Sequence, residues 1–472
     1  MFYPVLFEKK VYNMHRRRRW LRIVAALLIL ILGTLIWYAW QVFPLISGFG
    51  AKNMASAVYL QHRDPASVLK EELAFFPITL GTFTVNRSDS SVTGSVWGFA
   101  TCKAIYRTGL GCTLVNDSTE DVIRKQHFNL PAKPLQNTDT ISWPYGNEIS
   151  DSTSPSVNRP LLQHAIDDAM HALSKKQEPA YTRAVLVVYD GKIVGEQYAP
   201  GYNKNSVMIG WSMSKSLTAA VIGVLVKQGK LNPDAPAPVP EWKHTPKEKI
   251  TLKQLLQQTS GLDYVEDYSQ PSVANSMLNK RGDMAAFIAS LPLKFQPGTV
   301  FNYSSGNANI LSRIIRQTVG DSDYAAFPYQ SLFHKIDMYS LVLEPDASGT
   351  YIGSSYSYAT ARDFARFGLL YYNNGMWKGE QILPANWVKE TIKPCVADRQ
   401  KHYGYQFWLN GYCAGDSTKR LYPDVPVDMY FADGFGGQNI FIIPSKKLVV
   451  VRLGVNSIDE NKFLKGILQA IN

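Results

Sequence analysis

The feature that most limits what this chain can fold into is an uncharged apolar run, Ile23–Phe43, set behind a block of arginines. Its 21 residues include no Asp, Glu, Lys or Arg. At about 1.5 Å rise per residue, a helix of that length covers the ~30 Å hydrocarbon core of a bilayer. Arg16–Arg19 precede the run, and Trp37 and Trp40 stand near its other end, where amphipathic rings favour a membrane interface. Basic flanks stay on the cytoplasmic side. The run therefore predicts a single-pass signal anchor in the inner (cytoplasmic) membrane, residues 23–43, with residues 1–22 as a basic cytoplasmic tail and the rest periplasmic or otherwise extracytoplasmic. The alternative, a cleaved signal peptide, expects an apolar region of ~7–15 residues and a small-residue cleavage site. This run is longer, and no clean A-x-A site follows it.

The formal charge of +11 would suggest a nucleic-acid partner if it were spread over a surface. It is not: the first 22 residues carry net +6 and the other 450 only +5, so no basic face is expected and no nucleic-acid binding. A chain 46% hydrophobic and 18% charged is neither disordered nor collagen-like, and 472 residues accommodate two or three domains. Four cysteines fit an oxidising compartment, and of their three possible pairings proximity in sequence favours Cys102–Cys112 with Cys395–Cys413, four buried free thiols being the alternative. No C-x-x-C or H-E-x-x-H spacing occurs, and the eight histidines are scattered, so neither a metal nor another cofactor is expected. Nothing in the pattern speaks to oligomeric state.

Along the chain, residues 44–75 read as a connector, helical in part around Pro65–Phe75, and residues 76–147 as a small β-rich segment. Runs such as Ile78–Val85 and Leu110–Val115 are β-branched and aromatic, broken by turn residues. Asn137–Arg159, dense in Asn, Asp, Ser, Thr and Pro, reads as a boundary loop. Residues 155–472 form one large domain. A helix is predicted over Leu161–Lys176, then a hairpin of Ala184–Tyr189 and Lys192–Tyr198 turning at Asp190-Gly191. A second hairpin, Asn439–Ile443 and Leu448–Leu453, and a last helix over Ile458–Ile471 close the chain. Mostly helical segments lie between, including Ser214–Lys227, Leu252–Gln258 and Ala308–Gln317. The expected class is α/β (α+β): an antiparallel sheet built from both ends of the domain, flanked by helices, with a helical subdomain inserted.

The chemistry concentrates at Gly210-Trp211-Ser212-Met213-Ser214-Lys215. Ser212 and Lys215, three apart at a helix start, share one face. A serine hydroxyl needs a neighbour to take its proton, and lysine serves if burial lowers its pKa from about 10.4. The apolar helix that follows, through Val226, supplies the burial. Ser-x-x-Lys alone is a weak pattern, and a second copy stands at Ser67–Lys70; Ser212 as a simple helix cap is the competing reading. Two companions strengthen it. Phe301-Asn302-Tyr303-Ser304-Ser305 brings a phenol to a helix start, a proton-relay position. Phe431-Ala432-Asp433-Gly434-Phe435-Gly436-Gly437 brings glycine backbone and free N–H groups ahead of the last hairpin, suited to an oxyanion hole with the Ser212 N–H.

Ser-x-x-Lys, then Tyr-x-Ser, then a Gly-rich strand before a closing hairpin resembles the serine β-lactamase-related (class C-like) hydrolases, with their β-lactamase/transpeptidase-like fold. The group includes D-alanyl-D-alanine carboxypeptidases, class C β-lactamases, carboxylesterases and 6-aminohexanoate-dimer hydrolases. The stretches Tyr189–Val194, Ile250–Leu262 and Ala359–Gly368 look like the family too. The resemblance spans Pro160 to the end, and the β-rich leader is similar to that of the aminohexanoate-dimer hydrolase-like branch. It implies Ser212 as acylated nucleophile, Lys215 as its base and Tyr303 as proton relay. Ser305 takes the third place of Tyr-x-Asn or Tyr-x-Ser. Ala432-Asp433-Gly434 most nearly matches the Lys-Thr-Gly strand, which makes the Phe435 N–H, beside Gly434, the second oxyanion donor.

Two departures bear on substrate. Ala432 replaces the lysine that binds a substrate carboxylate, and Ser305 replaces an asparagine amide. Both point away from penicillins and toward esters or small amides. Three functions are therefore expected in order: a membrane-anchored ester or amide hydrolase; a D-Ala-D-Ala carboxypeptidase or weak β-lactamase; and a non-catalytic penicillin- or acyl-binding sensor. Pocket walls are expected from Asp263–Leu293 and Tyr403–Trp408.

Overall fold

Between Val5 and Ala55 the chain carries a single proline, Pro44, and strong helix formers elsewhere. The computed structural model, which describes residues 5–134, 137–149 and 156–471, folds this stretch as one 51-residue helix, α1 (Val5–Ala55). The beginning of the basic tail and part of the boundary loop lie outside the described residues. By length and composition, α1 contains the one helix among them able to cross a membrane. Its side chains are exposed from Arg17 to Tyr38 and again at Trp40, then buried from Leu45 onward. The segment read as a connector thus begins as a continuation of the apolar helix.

The buried half of α1 packs on a four-stranded antiparallel meander: β1 (Gly81–Asn86), β2 (Ser91–Val96), β3 (Phe99–Arg107) and β4 (Gly111–Leu114). Ile46, Ala51, Met54, Ala55 and Val58 from the helix meet Val92, Val96, Ala104, Cys112 and Leu114 from the strands. Sheet and helix come so close at Gly94 that an added Cβ would stand 2.3 Å from the Ser47 carbonyl oxygen. The run Ile78–Val85 becomes a strand only from Gly81, because Ile78–Leu80 makes a 3₁₀ turn.

The expected disulfides are not formed: all four cysteines are free thiols. The ladder explains the first pair. Tyr106 lies opposite Cys112, which puts Cys102 four residues out of register with it, and its thiol faces the Asn116 side chain instead. Burial pushes the Cys102 thiol up to about 11. Cys413 directs its thiol at the Arg420 carbonyl, and Cys395 is buried elsewhere.

In the large domain, α2 (Arg159–Met170) stops short of Lys176 because residues 171–177 form a polar turn. The hairpin β5 (Ala184–Tyr189) and β6 (Lys192–Tyr198) turns at Asp190-Gly191, both with positive φ. Next come the buried helix α3 (Met213–Lys227), then α4 (Val273–Lys280), α5 (Ser305–Val319) and α6 (Ala361–Tyr372). Strands β7 (Trp408–Leu409), β8 (Tyr430–Gly434), β9 (Gln438–Ile443) and β10 (Leu448–Leu453) precede the last helix, α7 (Glu460–Gln469). The main sheet is antiparallel, in the order β7-β8-β9-β10-β5-β6. Alternation along its strands separates two cores. Leu186, Val188, Ile440 and Val451 face α3 and α6. Val185, Val187, Phe441 and Val450 face α2 and α7. β10 pairs with β5, so the two ends of the domain are joined in mid-sheet.

A buried ion pair locks α1 to this domain. The Lys52 ammonium contacts Glu344, whose carboxylate also accepts from the Ser56 hydroxyl at 2.9 Å and from the Cys112 N–H at 2.6 Å. Lys52 lies 4.0 Å over the Tyr356 ring.

Candidate active site

The turn before α3 aims the candidate nucleophile. Trp211 takes a left-handed conformation (φ 45°), and the N–H groups of Met213, Ser214 and Lys215 bond back to residues 210–212. Ser212 occupies the N-cap position, yet its side chain makes no capping bond. Its hydroxyl oxygen instead lies 2.8 Å from Lys215 Nζ, which disposes of the simple-cap reading. The helix is buried all round from Met213 to Leu225, and Lys215 is 1% exposed.

The amine has two further neighbours, Ser305 Oγ at 3.0 Å and the Ser354 carbonyl oxygen at 3.1 Å. Proton counting assigns their roles. The Ser354 carbonyl only accepts. The Ser305 hydroxyl donates to Glu266 Oε1 at 2.5 Å, so it accepts from the lysine. A neutral amine has two N–H donors and one lone pair, so the lone pair is left for the Ser212 O–H. Burial favours that neutral form, pushing the ammonium down to about 8, while Glu266 and Asp433 work against the fall.

Tyr303 is half-buried, its ring face 4.9 Å from Lys215 Nζ, with the rings of Tyr403 and Trp408 packed on it at centroid distances of 5.8 and 5.2 Å. Burial holds its phenol well above the usual value near 10, with the Ser212 hydroxyl opposing. Sequence reading put α5 at Ala308. It begins at Ser305, capped by the Ser304 side chain, and so places Ser305 against the lysine.

β8 runs beside the Ser212 turn. A Cβ on Gly434 would stand 2.2 Å from the Gly210 carbonyl oxygen, so only glycine allows this approach. Among the described residues neither the Ser212 N–H nor the Phe435 N–H has a hydrogen-bond partner. The Phe435 ring is exposed and packs edge-on against Trp211 at 5.9 Å. Ala432, two residues before Gly434, is buried in the core shared with α3. Burial pushes Asp433 up to about 7. No group of three or more His, Cys, Asp or Glu among the described residues is placed to hold a metal ion.

All six residues singled out in the sequence thus gather at Ser212, through contacts with it, with Lys215 or with the Gly210-Trp211 turn. Sequence reading missed Glu266. Its Oε2 accepts the Ser305 N–H at 2.8 Å, and the Tyr268 hydroxyl donates to Oε1 at 2.6 Å. Glu266 lies in the segment Asp263–Leu293, expected only as a pocket wall. No local pattern marks a carboxylate that reaches the site from a loop about 40 residues before Ser305. Of the other expected wall, Tyr403 is buried behind Tyr303 rather than facing the cleft.

Comparison with known proteins finds relatives in sequence and in fold. The Beta-lactamase family profile matches residues 166–456. A 6-aminohexanoate-dimer hydrolase from Paenarthrobacter ureafaciens is 26% identical over 310 residues, covering 60% of this chain and 74% of that protein. Protein flp of Staphylococcus aureus (strain MRSA252) is 32% identical over 190 residues, 37% of each chain. Among solved structures, a family VIII carboxylesterase superposes with a TM-score of 0.51 at 15% identity, covering 69% of this chain and all of its own. A penicillin-binding protein homologue from Caulobacter crescentus gives 0.52 at 14% identity, covering 66% of this chain and 98% of that one. The two structures share the fold.

Proposed function

This chain belongs to the beta-lactamase family, and from that footing we propose that it is a membrane-anchored serine hydrolase cleaving an ester or small amide through an acyl-enzyme on Ser212. The observation that carries the proposal is the buried Lys215 amine, held by Ser305 and Ser354 at 2.8 Å from the Ser212 hydroxyl oxygen. Lys215 takes the hydroxyl proton as the Ser212 oxygen attacks the carbonyl carbon. The tetrahedral oxyanion is met by the Ser212 and Phe435 N–H groups. Tyr303 passes a proton to the leaving alcohol or amine, and the acyl group remains on Ser212. A water then enters, loses a proton to the same pair and releases the acid. Ala432 supplies no cation for a substrate carboxylate, which favours the ester or small-amide reading over peptidase or β-lactamase activity. The single apolar helix favours an anchor, with the domain outside the cytoplasmic membrane. Labelling with a fluorophosphonate probe, with the modified residue mapped by mass spectrometry, tests the assignment; an adduct on any serine other than Ser212 refutes it.

Since the base works as the neutral amine, activity should rise with pH through about 8. It should hold while Tyr303, displaced upward, keeps its proton. Glu266 favours the ammonium, so Glu266→Gln should move the acid limb of the kcat/KM profile downward; an upward move would contradict the assigned electrostatics. Gly434→Ala should push β8 off the Ser212 turn and displace one oxyanion donor. A fall in kcat of about 10²–10³-fold is expected, read in steady-state assays well below the melting temperature, which the same clash should lower.

A further inference from the structure

The meander beside α1 carries an unusual turn. Val96 pairs with Phe99, leaving Trp97-Gly98 as a two-residue loop with φ of 51° and 82°. Such type I′ loops favour Asn, Asp or Gly at both places, and a bulky residue with positive φ is uncommon. Here the first place holds a tryptophan that is 68% exposed, followed by Phe99 at 69%. Two local rules are broken at one point, the pattern expected where function outweighs folding preference.

The direction of the hairpin explains it. At the far end of the sheet, Tyr59 of the turn after α1 donates to the Asn86 carbonyl at 2.6 Å. Midway, Gly94 sits on the Ser47 carbonyl. At the tip, Trp97 packs edge-on against Phe43, the last residue of the apolar run, at 5.4 Å. The hairpin therefore runs down α1 and ends where the span ends. A second exposed pair joins it: Phe75 packs on Phe49 at 6.0 Å, and Phe76 beside it is 78% exposed. Phe49 also stacks on Trp211, the neighbour of Ser212, at 6.5 Å with the rings 6° from parallel. Six residues of helix separate Phe43 from Phe49, about 9 Å. The headgroup layer is about 5–8 Å thick on each side of the hydrocarbon core.

We propose that Trp97, Phe99, Phe75 and Phe76 form an aromatic collar that docks on the bilayer surface around the exit of α1. The collar holds the Ser212 cleft at headgroup level, so the enzyme takes its acyl substrate from an amphiphile resident in the membrane. The occupant is a lipid surface, because the collar is continuous with the apolar span and aromatic rings are the side chains that settle at that depth. This rests on the anchored-hydrolase reading above and names the substrate class for it.

The test uses the full chain in phosphatidylethanolamine/phosphatidylglycerol vesicles. Flotation first shows whether the chain is in the membrane. Hydrolysis of 4-nitrophenyl hexadecanoate dissolved in the vesicles is then compared with that of 4-nitrophenyl acetate in water. The variant Trp97→Ser/Phe99→Ser should lose at least tenfold on the hexadecanoate and stay within twofold on the acetate. Independently of turnover, brominated lipids should quench the emission that Trp97→Phe removes. A chain that does not float overturns both the anchor and the collar. A chain that floats with unquenched Trp97 and an unmoved ester ratio overturns the collar alone. Quenched Trp97 with neither ester hydrolysed upholds docking and overturns the hydrolytic reading.

Discussion

Replacing Ser212 by alanine is expected to remove turnover of a chromogenic ester by about 10⁴-fold or more, the scale seen when a serine nucleophile is deleted. It should also abolish fluorophosphonate labelling. The loss should not be a folding effect. The hydroxyl makes no cap bond, and its strongest contact is the Lys215 amine, which keeps the Ser305 and Ser354 oxygens as partners. Thermal unfolding of Ser212→Ala should therefore match the parent. Unchanged ester hydrolysis would end the proposal. So would an acyl adduct that a chromogenic ester leaves on the parent's Ser212 but that is never hydrolysed, which would instead mark an acyl-binding sensor.

The second large effect is on stability and lies in the last turn of α1. Lys52→Met leaves the Glu344 carboxylate buried without its cation, and breaking such a pair costs about 3–5 kcal/mol. Burial already holds the Glu344 carboxyl above its ordinary range even with Lys52 beside it, and losing the ammonium raises it further. A carboxyl raised on folding contributes stability below its unfolded value, about 4.3, and loses that contribution as pH climbs through its folded value. The deficit of Lys52→Met should therefore be small near pH 5 and full near pH 8, measured by denaturant unfolding of the full chain in detergent. Lys52→Met/Glu344→Gln should recover most of it, because the amide oxygen still accepts from Ser56 and Cys112. A single variant as stable as the parent at pH 8 would show that this pair does not hold α1 in place.

Much of the molecule follows from local chemistry. Alternating apolar residues and the turn residues Asp190-Gly191 predict the hairpin of β5 and β6 with the boundaries observed. The unbroken apolar stretch after Lys215 predicts a helix buried on every side, and with it a lysine that burial drives toward its neutral form. The terminal hairpin and last helix are equally legible, since one side of each element is apolar at that element's own period. Elements fail at their ends, where tertiary partners decide. α5 starts three residues before its apolar pattern does, because Ser304 caps it and Glu266 takes the Ser305 N–H. Cysteine spacing suggested a Cys102–Cys112 bond that the β3–β4 register forbids.

The apolar span and the antiparallel sheet with its helices were legible in the periodicity of the sequence, whereas the expectation of Ser212, Lys215, Tyr303 and Ser305 as one set came from motifs in an order that resembles a known family. Tertiary structure alone brought Glu266 onto the Ser305 hydroxyl and set the Lys215 amine against the Ser212 oxygen. It alone brought Phe49 of the apolar helix onto Trp211, beside the nucleophile. Neither contact has a local signature, because hydrogen bonds and ring stacking act over a few ångströms in space between segments that lie 39 and 162 residues apart in the chain.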